Sequence, residues 1–170
     1  MTVMDVRKDI EALTMTVDSE FDATPEIIWQ LWEDPRKLER WWGPPNYPAT
    51  FDTHDGLTAG ARMSYHMTTP EGDMPRGWWE ILEVEPPHRL VIRDGFAGED
   101  GQPNPDMPAG LMRVSIEDIG GGRSRMTIVN VFPSLEAMEQ LLDMGQEEGM
   151  TQAIGQIEAI LAEDKAGALG

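Results

Sequence analysis

Phe21-Asp22-Ala23-Thr24-Pro25-Glu26-Ile27-Ile28-Trp29-Gln30-Leu31-Trp32-Glu33-Asp34-Pro35 decides how the rest of the chain is placed. Just before it, Leu13, Met15, Val17, Ser19 and Phe21 share one side of an alternation whose other side is Thr14, Thr16, Asp18 and Glu20. That is the period of a half-buried strand. Thr24 is a capping residue, and Pro25 occupies a first helical position, where its missing N–H costs nothing and its fixed φ suits a helix. Ile28, Leu31 and Trp32 give the i, i+3, i+4 stripe of a short amphipathic helix. Pro35 ends that helix and opens a second helical turn through Leu38, closed at Trp41-Trp42-Gly43-Pro44-Pro45.

From Tyr47 to Val131 the chain alternates strand patterns with turn signals. Residues 47 to 54 are the first candidate, followed by Asp55-Gly56 and Gly60. Met63, Tyr65 and Met67 alternate with Arg62, Ser64 and His66, and Pro70-Glu71-Gly72-Asp73 turns the chain again. Trp78 to Val84 is a third strand, in which Trp78-Trp79 and Ile81-Leu82 break the alternation as a bulge would. Leu90 to Phe96, Leu111 to Ile119 and Ser124 to Phe132 complete the set, the last two joined by Gly120-Gly121-Gly122. Turn-linked neighbours of this kind predict an antiparallel meander rather than βαβ units. The breaker-rich stretch 97–110 is too long for an ordinary connection and has the length of a lid or binding loop.

After Ser134 the spacing becomes helical, with Leu135, Met138, Leu142, Gly145, Gly149, Ala153, Ile157 and Ile160 set by threes and fours. Ser134 is a natural cap, and Glu136 and Glu139 suit the positive end of the helix dipole. Gly145 and Gly149 either break the helix or serve close packing. The expected organisation is a tail over 1–10, one domain over 11–163 and a second tail over 164–170.

Thirteen Lys and Arg against 31 Asp and Glu leave a net charge of −18 over 170 residues, with the acids dispersed. That balance argues against nucleic acid and anionic membrane surfaces, both of which call for clustered cations. No cysteine is present, so disulfides and thiolate chemistry are excluded. No apolar run reaches the length of a signal peptide core or a membrane span, so a cytoplasmic protein with no membrane insertion is the expectation.

Three places carry a family resemblance. Phe21 to Pro25 with Trp29, then Asp34-Pro35 to Trp41-Trp42-Gly43-Pro44, resembles the opening signature of the family named for activators of heat shock protein 90 ATPase. Gly77-Trp78-Trp79-Glu80-Ile81 through Pro86-Pro87-His88-Arg89-Leu90-Val91 is similar to its central strand pair, and Glu148-Gly149-Met150 with Ile154 to Leu161 to its terminal helix. The resemblance covers about residues 13–163. It implies an α+β helix-grip fold of the START-like, SRPBCC type, with a curved antiparallel sheet of about six or seven strands around a long C-terminal helix and an apolar cavity between them. One departure stands out: bacterial members commonly have Trp after the terminal Glu-Gly pair, where this chain has Met150.

For such a cavity, alternation and helical spacing nominate Met63, Tyr65, Met67, Phe96, Met112, Val114, Ile128 and Asn130 from the strands, and Met138, Leu142, Met150 and Ile154 from the helix. Trp42 and Trp79 join them, with packing as the competing role. Twelve methionines in the chain make an adaptable lining. Glu80 and Tyr65 are the weak catalytic candidates; an inward Glu80 would have a raised pKa, whereas an outward one would pair with Arg on a neighbouring strand. His54, His66 and His88 lie on separate strands or strand edges without ligand spacing, so neither metal nor cofactor is expected. No Gly-x-Ser-x-Gly elbow or phosphate loop occurs. The leading expectation is binding of a small apolar molecule. The resemblance also implies, as alternatives, a chaperone cofactor or a cyclase- or hydrolase-type enzyme, and a sheet edge or the terminal helix offers a homodimer surface.

Overall fold

The alternation upstream of Phe21 forms strand β2 (Thr14–Phe21), whose Met15, Val17, Ser19 and Phe21 are buried while the residues between them keep surface. The computed structural model describes residues 3–169, with side chains for residues 4–165. β2 leads into α1 (Pro25–Glu33) and α2 (Pro35–Trp41), each with proline in its first turn. Thr24 takes the N-cap position of α1 without a side-chain bond, whereas the Asp34 carboxylate accepts from the Arg36 N–H at the start of α2. The apolar stripe buries Ile28, Leu31 and Trp32 completely or almost so.

Six further strands follow: β3 (Ala49–His54), β4 (Arg62–Met67), β5 (Arg76–Glu85), β6 (Arg89–Ala97), β7 (Gly110–Gly120) and β8 (Arg123–Val131). They pair as an antiparallel meander, and β2 closes onto β8. The doubled pattern at Trp78-Trp79 and Ile81-Leu82 ends in a register shift between Ile81 and Glu83, with Trp79 and Ile81 inward.

Two boundaries differ from expectation. Within the stretch expected as a tail, Val3–Asp9 forms β1, paired along its length with β2. The sheet therefore has eight strands, in the order β1-β2-β8-β7-β6-β5-β4-β3, rather than six or seven. The alternation of β1 is weak because it is an edge strand with one face exposed, and Arg7 and Lys8 mask it. Nor does the chain leave helical structure at residue 164, since the last helix runs to Leu169.

The C-terminal helical stretch is α3 (Leu135–Asp143), α4 (Gln146–Gly155) and α5 (Ile157–Leu169). Ser134 caps α3 by accepting from the Ala137 N–H. The first break falls at Gly145, whose φ of +92° is a left-handed conformation that glycine adopts without a Cβ penalty. With the sheet curled around this stretch, the architecture is the helix-grip α+β fold. No helix among the described residues is long and apolar enough to cross a membrane.

Candidate functional site

Between the sheet and α4 lies a cavity of about 300 Å³. α2 and the turn after it bring Trp41, Trp42 and Pro44 to its wall; β4 brings Tyr65 and Met67; β6 brings Asp94, Gly95 and Phe96. The opposite wall comes from Gly110 and Leu111 of β7, Ile128, Asn130 and Val131 of β8, and Gln146, Gly149, Met150 and Ala153 of α4. Pro108 of the long loop sits at the edge. That loop folds back on itself through Gly98 N–H to Gln102 and Asn104 N–H to Phe96.

The wall is held by specific bonds. The Gln156 side-chain amide donates to the carbonyls of Trp41 and Gly43, tying the α4–α5 junction to the double-tryptophan turn. The Trp41 indole N–H donates to the Leu31 carbonyl. Asn130 Nδ2 lies within bonding distance of the Met15 carbonyl at 3.2 Å and the Met150 sulfur at 3.3 Å. Gly77 leaves room for Tyr65 across the β4–β5 pair: a Cβ there would overlap the Tyr65 ring and hydroxyl.

Seven of the fourteen nominated residues line the cavity: Trp42, Tyr65, Met67, Phe96, Ile128, Asn130 and Met150. The others do not. Met63, Trp79, Met112, Val114, Met138 and Ile154 are buried in solid core, and Leu142 packs partly buried against it. Alternation separates inward from outward faces, but it carries no information about depth along the grip. α1 packs against β7 and β8, and the cavity lies beside α4.

Glu80, a weak catalytic candidate, does not line the cavity. It faces outward, 3.4 Å from Arg62 and 3.6 Å from Arg93 on the two flanking strands. These are surface pairs of small net value. Glu80→Gln is therefore expected to change unfolding free energy by less than about 0.5 kcal/mol in urea titrations. The histidines also have separate structural partners: His54 the Trp32 carbonyl, His66 the Asp52 carboxylate, His88 the Ile116 carbonyl.

The acid that does line the cavity is Asp94. Burial pushes its carboxyl up to about 7, and its own backbone N–H only partly offsets this. Asp94 stands opposite Trp79 on β5 and Gly110 on β7. Tyr65 is raised above its ordinary value, first by burial and further by Asp94, despite the nearby Trp42 indole. The signal for Asp94 was present in the sequence. Leu90, Ile92, Asp94 and Phe96 are a period-two set, so an inward Phe96 carries Asp94 to the same face.

A helix-grip protein with a largely apolar cavity and one half-buried carboxyl group on its wall is the class defined by this geometry. Residues 22–162 match the family model described as Activator of Hsp90 ATPase homolog 1-like protein, and the chain belongs to that family. Among solved structures it is similar to a protein from Arthrobacter aurescens, with 47% identity, a TM-score of 0.89, and 94% of this chain and 91% of that one covered. A protein from Mycobacterium smegmatis shows 44% identity, a TM-score of 0.85, and 94% and 97% coverage. The AHSA1 protein of Silicibacter pomeroyi shares the fold at 22% identity and a TM-score of 0.71, with 89% and 99% coverage. No curated protein matches the chain.

Proposed function

We propose that the protein binds a small, mainly apolar ligand in the cavity between the sheet and α4. The observation that carries this reading is the cavity itself: about 300 Å³, walled mostly by aromatic, aliphatic and thioether side chains with a few convergent polar groups. That composition and size are those of small-molecule sites. Met150 and Met67 give the wall side chains that adapt to ligand shape.

The test uses prodan, a neutral naphthalene whose emission shifts to the blue on leaving water. Wild type is expected to bind it at 1:1 with a blue shift. Met150→Trp, which puts the larger indole into the wall, is expected to weaken binding by at least about tenfold, as lost apolar burial of about 1.4 kcal/mol requires. Far-UV circular dichroism and the unfolding midpoint check that the variant folds. A folded wild-type protein that leaves prodan emission unchanged contradicts the reading.

Two other readings remain distinct in what they predict. The family description names an Hsp90 ATPase activator, and a chaperone-directed protein would stimulate that ATPase when added to it. An enzyme of cyclase or hydrolase type would use Asp94, whose carboxyl near 7 suits proton transfer, and would lose turnover in Asp94→Asn.

A further inference from the structure

The polar groups of the cavity are unequal in sign. Among the described residues, Asp94 has no cationic partner and no Lys, Arg or His lines the wall. The cations nearest in sequence are engaged with acids elsewhere, Arg93 with Glu80 and Arg89 with Glu83 and Glu85. The Gln146 side-chain oxygen is buried on the facing wall and receives no hydrogen bond. Trp42 and Tyr65 stand at right angles with ring centroids 6.2 Å apart, and Phe96 lines the cavity with them. The cavity thus offers a carboxylate with no cationic partner and an unbonded amide oxygen, beside aromatic rings and the unbonded Trp42 indole N–H, in a protein of net charge −18.

We propose that the natural ligand of this cavity is a small hydrophobic amine, held as its ammonium ion by the Asp94 carboxylate among the rings of Trp42, Tyr65 and Phe96. This rests on the ligand-binding reading above and specifies the ligand class. An ammonium group supplies the cation that the Asp94 carboxylate lacks and an N–H for the Gln146 oxygen, and charge-assisted bonds of this kind are the strong ones in a low-dielectric site. Aromatic faces attract cations, most strongly where water is excluded. The protein's overall negative field raises the local concentration of a cationic ligand. The apolar body of the amine fills the rest of the cavity.

Binding is then linked to pH. Of the residues lining the cavity, Asp94 and Tyr65 are the only titratable ones; α2, β7, β8, α3 and α4 contribute none, and neither Trp79 nor Gly110 opposite Asp94 ionises. The amine therefore loses affinity as acid protonates Asp94, whereas a neutral ligand of the same body does not.

Calorimetric titration with 4-phenylbutylamine, 4-phenylbutanol and 4-phenylbutyrate isolates the head group on one apolar body. At pH 8 the amine is expected to bind at least about tenfold more tightly than the alcohol, with the carboxylate weakest. Its advantage is expected to shrink at least about tenfold on going to pH 5. Asp94→Asn is expected to abolish the preference while keeping affinity for the alcohol. Equal binding of amine and alcohol, tighter binding of the carboxylate, or an amine preference that survives in Asp94→Asn overturns the proposal; the last would assign the preference to the diffuse field. If any of these occurs while prodan still binds, the apolar-ligand reading stands and only the amine is lost. If neither prodan nor any phenylbutyl compound binds, both fall.

Discussion

Asp94→Asn is expected to make the protein more stable, by an amount that grows with pH. In the folded chain the Asp94 carboxyl is raised from 3.8 to about 7 by burial. A group raised on folding binds more protons in the folded than in the unfolded state between those values, so its contribution to stability declines as pH rises through them. Below about pH 3 both states are largely protonated there and the group is nearly neutral in effect. Above about pH 7 the folded state carries a charge it solvates poorly. The full difference corresponds to at most roughly 4 kcal/mol. Asp94 is half-buried against an open cavity, and screening reduces this to about 1–3 kcal/mol. Urea unfolding of the two proteins from pH 4.5 to 8 measures it, and the other acids cancel in the difference. A variant no more stable than wild type at pH 8, or a difference independent of pH, would show that Asp94 is not desolvated at the cavity wall. A residue that costs stability where it stands is characteristic of a binding site.

The second large effect lies behind the cavity. Trp79 is fully buried and meets Trp42 edge-on at 4.8 Å, with Phe51 at 5.3 Å and Trp32 at 6.0 Å. Trp32 in turn packs edge-on against Trp41 at 4.9 Å. This cluster fixes the double-tryptophan turn that supplies one cavity wall. Trp79→Ala is expected to cost about 3–5 kcal/mol, from lost burial and the cavity left behind. For a chain of this length that lowers Tm by roughly 6–20 °C. Its neighbour Trp78 lies on the outer face, over Gly95, and is only half-buried. Trp78→Ala is expected to cost clearly less in the same calorimetric scan. Equal losses would contradict the inward placement of Trp79.

Much of the fold was legible because its signals are local. Pro25 and Pro35 mark the two helix starts, the period-two pattern of Met15, Val17 and Phe21 fixes an inward face, and Gly145 marks a break in the C-terminal helical stretch. β1 was hidden because an edge strand needs only one apolar face, and Asp5, Arg7 and Asp9 occupy the other. The cavity was legible only in part. Met112 and Val114 carry the same inward signal as Ile128 and Asn130, yet the first pair fills core and the second pair lines space. That difference depends on where α1 and α4 cross the sheet, which no spacing along one strand encodes. Asp94 was overlooked for a different reason: an acid between Arg93 and Gly95 has the composition of a turn, although Ile92 and Phe96 put it on the inward face. Glu80 drew attention among apolar residues, but the strand phase that buries Trp79 and Ile81 turns it outward.

The central claim is that a small molecule occupies the space between the sheet and α4, and amide chemical shifts test it residue by residue. Glycines make convenient reporters: Gly95, Gly110, Gly145 and Gly149 line the cavity, whereas Gly60, Gly72 and Gly121 lie in distant turns. On titration of labelled protein with prodan, the first four are expected to shift together and saturate at one equivalent while the last three stay in place. Shifts confined to the turns or to the exposed Met74 surface, or no saturable shift at all, would contradict it.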